Sequence, residues 1–345
     1  MSKSEQPFVS IVTPVYNGAD FLAECIESVL SQTYQNYEYL IVNNCSKDRT
    51  LEIALTYART DSRIRVHDNE TFLEVIANHN HAFSLISPSA KYCKVVSGDD
   101  FILPDCLRQM VELAEASPSV GIVGSYQQSG KRVRWQGFSY PTAVLSGREV
   151  CREIFLGGHP DFGFGSPTSI LYRADLVRNS KEFYPNPSPH SDTSACFKEL
   201  QHCDFGFVYQ VLSYERIHGE TQSSRSAQIN RYLSACLNDL LQYGPAYLNN
   251  EEFEPLVKES LHDYHRFLVI RRFSGPRDDA FWSYHRSRLV ELGHPVRRFQ
   301  LIRAAMAMIL QEAVNPGLAI RKFWKRMFPG STGASSSEQP KVSVR

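Results

Sequence analysis

Short β-branched and aromatic runs alternate with helical patterns through the first two thirds of the chain. That alternation is the signature of a parallel sheet covered by helices. The strand pattern falls on Phe8 to Thr13, Tyr37 to Val42, Ile64 to His67, Tyr92 to Val96 and Val120 to Gly124. Between the first two runs, Phe21, Leu22, Cys25, Ile26, Val29 and Leu30 recur at helical spacing behind Asp20, a candidate N-cap, so the unit is βαβ. Beyond Tyr126 the pattern loosens into a hairpin or long loop, then into a Gly- and Pro-rich stretch, 157–167, read as a substrate-facing loop. Apolar-aromatic text at Ser169 to Tyr172 and Phe205 to Leu212 predicts late strands of the same sheet. From Gln228 the character changes: Ile229, Tyr232, Leu233, Cys236, Leu237, Leu240 and Leu241 form a helical stripe, and no strand pattern follows. The expected division is a sheet domain over 1–226, a helical region over 227–328 and a disordered polar tail over 329–345.

Composition narrows the function classes. Lys and Arg total 37 and Asp and Glu total 37 in 345 residues, a formal charge of zero that argues against a nucleic-acid binder working by bulk electrostatics. The polar start MSKSEQPF carries no export signature, and the longest uninterrupted apolar run, Ala304 to Leu310, is far short of the roughly 20 residues a spanning helix needs. A cytoplasmic protein is expected. The cysteines are scattered singly without a C-x-x-C pair, which reads as reduced core thiols.

Chemistry concentrates at strand ends, where ligands bind in a parallel α/β sheet. The first strand runs into Pro14, Val15, Tyr16, Asn17 and Gly18, and the second into Asn43, Asn44, Cys45, Ser46, Lys47 and Asp48. Helix capping accounts for Ser46 and Asp48 but not for the two asparagines. The sharpest feature is Val95-Val96-Ser97-Gly98-Asp99-Asp100: an apolar strand delivering two adjacent carboxylates to a sheet edge, a repulsion that a hard divalent ion with substrate phosphates would cancel.

The ordered set S-I-V-T-P-V-Y-N-G (10 to 18), E-S-V-L-S-Q-T-Y (27 to 34), S-K-D-R-T (46 to 50), S-G-D-D-F-I-L-P (97 to 104), G-S-P-T-S-I-L-Y-R (165 to 173), S-D (191 and 192) and Y-E-R-I-H (214 to 218) resembles the inverting glycosyltransferases of sequence family two. The resemblance implies the GT-A fold, a Rossmann-like, mostly parallel central sheet flanked by helices, and a nucleotide-diphosphate sugar as donor. It places Pro14 and Tyr16 at the donor nucleotide, with Tyr16 stacking on the base, and Asn44 at the base edge. It assigns Asp99 to the ribose and Asp100 to a Mn²⁺ or Mg²⁺ ion on the diphosphate, with His218 near that ion. Asp192 matches the catalytic base, though Ser191 or Asp192 as an N-cap is the alternative. An amide at 44 suits uracil or thymine better than guanine, which favours UDP- or TDP-sugars. The acceptor implied is a hydroxyl of a glycan or lipid-linked glycan. His79, Asn80 and His81 read as a solvated helical face.

Between Val296 and Phe328 seven basic residues face one acid, Glu312, among interleaved Phe, Leu, Ile, Met and Trp. This amphipathic basic stretch predicts either peripheral contact with an anionic membrane or packing on the rest of the chain. Two rival functions stand beside the transferase. An inactive nucleotide-sugar or glycan-binding subunit of the same fold is opposed by the intact Asp99, Asp100 and Asp192. A dinucleotide oxidoreductase is opposed by the lack of G-x-G-x-x-G after the first strand.

Overall fold

The computed structural model describes residues 6–157, 161–185, 188–218, 229–274 and 278–314, and these divide into two compact units, 1–232 and 233–345. The expected boundary at 226/227 and the tail 329–345 lie outside the described residues.

The first unit runs β1 (Val9–Val15), α1 (Leu22–Leu30), β2 (Tyr37–Asn43), α2 (Thr50–Thr60), β3 (Ile64–Asp68), α3 (Val75–Ser84), β4 (Tyr92–Val95), β5 (Phe101–Ile102), α4 (Cys106–Ala116), β6 (Val120–Ser129), β7 (Arg132–Arg134), β8 (Val144–Leu145), α5 (Gly147–Leu156), β9 (Ile170–Arg173), α6 (Ala174–Arg178), α7 (Ser191–Glu199) and β10 (Asp204–Glu215). One sheet collects the strands in the order β3-β2-β1-β4-β9-β6-β10-β5, with β7 added on β6 and β8 on β10. Every residue of β1 and β2 is buried, as expected of strands covered on both faces. On one face Val9, Ile11, Tyr37, Tyr39 and Ile41 pack with Leu22, Ile26 and Val29 of α1 and with Leu107, Met110 and Val111 of α4. Burying each such aliphatic side chain contributes roughly 1.5–3 kcal/mol. Thr13 points into this apolar layer, and its hydroxyl is bonded to Tyr39 Oη at 2.9 Å and to the Val96 carbonyl at 2.7 Å.

The strand order reverses at β1, which pairs in parallel with β2 on one side and β4 on the other. The crevice outside the carboxyl ends of β1 and β4 is therefore the place for a ligand. The sheet is parallel through this half and mixed beyond it. β9 enters antiparallel between β4 and β6, so the start of β9, not its end, lies at the carboxyl edge of β4. The expected hairpin after Tyr126 is formed by β6 and β7. Of the Gly- and Pro-rich loop, residues 158–160 lie outside the described residues; Asp161 bonds Arg134 Nε at 2.8 Å and Phe162 stacks near Phe138, so the described part packs on that hairpin side.

The second unit is helical: α8 (Arg231–Tyr247), which begins just before the boundary, α9 (Asn250–Ser274), α10 (Asp279–Glu291) and α11 (Arg298–Val314). Its polar core contact joins Tyr264 Oη to His285 Nδ1 at 2.7 Å, surrounded by Phe267 and Phe281. No helix among the described residues is long and apolar enough to cross a membrane. All eight cysteines are free thiols, and burial pushes Cys25, beneath the crevice, up to about 12.

Candidate active site

Two turns zip together at the end of β1. Asn17 adopts a left-handed conformation, φ 51°, tolerable because its short amide bonds locally. Its carbonyl oxygen accepts from Lys47 N at 2.8 Å, while Asn17 N donates to Ser46 Oγ at 3.0 Å and Ala19 N to Asp48 Oδ2 at 3.0 Å. Although desolvation opposes it, bonds from the Thr50 hydroxyl and the Ala19 and Thr50 amides hold Asp48 below its ordinary range. Ser46 and Asp48 thus clamp the Pro14–Gly18 turn in addition to opening α2. Pro14 lies inside β1, buried, and Tyr16 emerges 48% exposed. The ring of Phe72, 52% exposed, meets Tyr16 edge-on with centroids 5.0 Å apart.

Asn44, expected at a base edge, is 3% exposed and has its amide engaged by the neighbouring loop. Its Oδ1 accepts from Leu73 N at 2.9 Å and from Asn69 Nδ2 at 3.0 Å, and its Nδ2 donates to the Leu73 carbonyl at 2.8 Å. Asn69 also donates to Asn78 Oδ1 at 2.9 Å, and Asn43 donates to Asp68 Oδ1 at 2.6 Å. These amides hold the 69–74 segment that carries Phe72. On α3, Asn80 clasps the main chain of Tyr184 through bonds of 2.9 and 3.0 Å, and His81 Nε2 meets His67 Nε2 at 3.0 Å. The face expected to be solvated is partly engaged in tertiary contacts.

The acidic turn closes between β4 and β5. Gly98 permits it: a Cβ there would stand 2.9 Å from Val15 Cγ2. Phe101 and Ile102 pair antiparallel with Tyr214 and Ser213 of β10, and Phe101 stacks on Tyr214 at 4.7 Å. This pairing draws the Arg216-Ile217-His218 segment across the aspartates. Arg216 N donates to Asp100 Oδ1 at 3.0 Å, Arg216 Nε donates to the Asp99 carbonyl at 3.0 Å, and Arg216 Nη2 reaches Glu24 Oε2 at 2.6 Å. His218 Nε2 lies 3.1 Å from Asp99 Oδ2.

Asp100 is 6% exposed, which rules out a solvated turn. The Thr168 hydroxyl donates to its Oδ2 at 2.6 Å and accepts from Ser97 N at 3.1 Å. Burial, then the Asp99 charge, push the Asp100 carboxyl far above its ordinary value, to about 8, against the hydrogen bonds from the Thr168 hydroxyl and the Arg216 amide. A second buried charge lies below: Lys94 is fully buried in β4 and donates to the carbonyls of Thr168, at 2.5 Å, and Ile170, at 3.0 Å. Desolvation holds its ammonium below the ordinary lysine value, with Cys106 and Asp100 opposing.

Among the described residues no group of three or more His, Cys, Asp or Glu is arranged as a metal-holding cluster; Asp99, Asp100 and His218 meet only as the hydrogen-bonded turn closed by Arg216. Their oxygen and imidazole donors are of the type hard divalent ions take, one or two carboxylates with the shell completed by phosphate and water, and a cation there would favour the ionised form of Asp100 that burial and Asp99 disfavour.

Asp192 is the second residue of α7, whose N-cap position is His190, without a side-chain cap bond. Its negative charge is felt by Tyr172, Tyr184 and Cys196, raising all three hydroxyl or thiol values behind the larger effect of burial. Tyr172 belongs to β9, and Thr168 lies in the short turn that leads into that strand. Thr168 and Arg216 belong to quoted motifs but carried no role; Phe72 and Lys94 carried no signal.

The family description "Glycosyl transferase family 2" matches residues 10–179. An uncharacterized glycosyltransferase of Rickettsia typhi (strain ATCC VR-144 / Wilmington) is 57% identical over 229 residues, 66% of this chain and 69% of that protein. The chain belongs to glycosyl transferase family 2. A further member-like relative, an uncharacterized glycosyltransferase of Haemophilus influenzae, is 26% identical over 227 residues, covering 63% of this chain and 68% of that one. Among solved structures, residues 1–349 of S. aureus TarS in complex with UDP-GlcNAc superpose with a TM-score of 0.62 at 17% identity, over 83% of this chain and 81% of that one. A mannosyltransferase from Pyrobaculum calidifontis in complex with GDP-Man and Mn²⁺ gives a TM-score of 0.54 at 15% identity, over 94% of this chain and 85% of that one. These likenesses establish the GT-A fold. The acidic turn and the Tyr16 turn of this family 2 transferase occupy the carboxyl edge of the shared sheet.

Proposed function

We propose that this family 2 transferase moves a sugar, with inversion, from a uridine or thymidine diphosphate donor to a hydroxyl of a glycan or lipid-linked glycan. The observation that carries the reading is the closure of the Asp99-Asp100 turn by Thr168, Arg216 and His218 at the topological switch point. Fold neighbours in complex with UDP-GlcNAc and with GDP-Man support a nucleotide-diphosphate sugar as donor.

In this reading Tyr16, with Phe72 beside it, supplies an aromatic platform for the base, and Pro14 shapes that turn. Asn44 acts from behind by fixing the loop of Phe72. Asp100 and His218 would hold Mn²⁺ or Mg²⁺, with Asp99 at the ribose. A bound divalent ion supplies Lewis-acid stabilisation to the negative charge collecting on the departing diphosphate. Thr168 and the Arg216 amide orient Asp100, and His218 orients Asp99. Asp192 accepts the acceptor hydroxyl proton as that oxygen attacks the anomeric carbon from the face opposite the leaving group; the proton becomes acidic as the bond forms, so a carboxylate suffices. The first turn of α7 favours a negative charge at that position.

The deciding experiment measures Mn²⁺-dependent hydrolysis of UDP-, TDP- and GDP-sugars by the whole chain and by Asp192→Asn and Asp100→Ala. Asp192→Asn should keep nucleotide affinity and lose turnover, while Asp100→Ala should lose metal-dependent donor binding. Full activity of Asp192→Asn would remove the base from this scheme.

A further inference from the structure

In the second unit, α11 is apolar on two opposite sides. At 100° per residue, Leu301, Ala304 and Met308 share one side; Ala304 is buried, and the helix packs against α9. Phe299, Ile302, Met306, Ile309 and Leu310 fall within an arc of about 100° on the other side, and each is between 55% and 66% exposed. An apolar stripe left in water across three turns of helix is a surface that something covers.

Charge indicates what covers it. On the same helical wheel Arg298 and Arg303 flank the stripe on its two edges, both exposed, with exposed Arg297 just before the helix. No Asp or Glu occurs from 292 to 311. A second copy of the chain laid along this stripe would set arginines against arginines, which opposes pairing. Exposed Ile270 and Phe273 of α9, next to exposed Arg272, repeat the combination in the same unit, and the sequence beyond residue 314 continues it with Arg321, Lys322, Lys325 and Arg326 among Phe323, Trp324 and Phe328. Apolar side chains bordered by cations, with acids absent, match the boundary between headgroups and acyl chains of an anionic bilayer.

We infer that the stripe Phe299–Ile302–Met306–Ile309–Leu310 docks the protein on an anionic lipid surface, lying in the plane of the interface with Arg298 and Arg303 at the headgroups. The inference is independent of the donor and of the catalytic base proposed above.

The test is cosedimentation of the whole chain with vesicles of phosphatidylcholine alone and with about a third phosphatidylglycerol. Partition should be at least tenfold stronger on the anionic vesicles and should weaken as salt rises from about 0.1 M to about 1 M. Arg298→Glu/Arg303→Glu and, separately, Ile302→Ser/Ile309→Ser should each lower it tenfold or more while donor hydrolysis is unchanged. Absent partition, equal partition on the two vesicles, or partition unmoved by both variants overturns the inference. So does a concentration-dependent dimer of the free protein that Ile302→Ser/Ile309→Ser abolishes, which would give the stripe to a second copy. The lipid and salt comparisons on the unaltered chain decide the matter even if a variant folds poorly.

Discussion

Thr168 donates its hydroxyl proton to Asp100 Oδ2 at 2.6 Å across 68 positions of sequence. The bond exists because β9 enters the sheet antiparallel, which lays its leading end against the carboxyl edge of β4. With Asp100 ionised, as the proposed divalent ion would hold it, a hydrogen bond to the charged carboxylate contributes about 1.5–3 kcal/mol. Thr168→Val, which keeps the shape and removes the hydroxyl, should therefore cost roughly ten- to hundredfold in kcat/KM for donor hydrolysis. Thr168→Ser should recover most of it. Equal kinetics for Thr168→Val and the unaltered protein would show that Asp100 does not depend on this hydroxyl.

Lys94 holds the same segment from beneath through the carbonyls of Thr168 and Ile170. Lys94→Met removes a costly buried charge and leaves two buried carbonyls without those donors, each worth about 1–3 kcal/mol. The net expectation is a loss of roughly 1–3 kcal/mol, read as a lower midpoint in urea unfolding. The pH dependence carries a sign. With the folded value depressed below the ordinary 10.5, the unfolded chain holds more protons in the window between the two, so this group costs stability as pH falls through that window. Lys94→Met should flatten that slope; an unchanged slope would mean that Lys94 does not set it.

The Tyr16–Phe72 pair is the proposed base platform. Tyr16→Ala should weaken nucleotide binding by about 1–3 kcal/mol, the range for a base stacked on an aromatic ring, and Phe72→Ala should weaken it less, with turnover of bound donor retained. Calorimetric titration with UDP, TDP and GDP reads both effects, and tighter binding of GDP than of UDP would reverse the donor preference.

Asn44→Asp separates a loop-holding role from a base-reading one. The carboxylate loses the donor to the Leu73 carbonyl, so the 69–74 segment should exchange its amide hydrogens faster and nucleotides should bind more weakly whatever their base. A switch of preference from UDP to GDP at unchanged loop protection would instead return Asn44 to the base edge.

The short β-branched and aromatic runs and the helical spacings along the chain determined the strands β1 to β4 and β6, the βαβ opening, the late strands and the helical C-terminal region, because each rests on local burial that neighbouring residues encode. They also placed Asp99, Asp100 and Tyr16 at strand ends, while His218 was brought to the site only by the family resemblance. What joins those residues is not local. The Arg216 bonds to the acidic turn span 116 and 117 positions, the Asp99–His218 contact 119, and the Asn44 bonds to Leu73 29. Only the insertion of β9 and the pairing of β5 with β10 decide that Thr168 and Arg216 hold Asp100, that Lys94 lies beneath them, and that Asn44 faces a loop. A linear pattern specifies which side of an element is apolar; which polar partner meets it there is set by the packing of elements far apart in the chain.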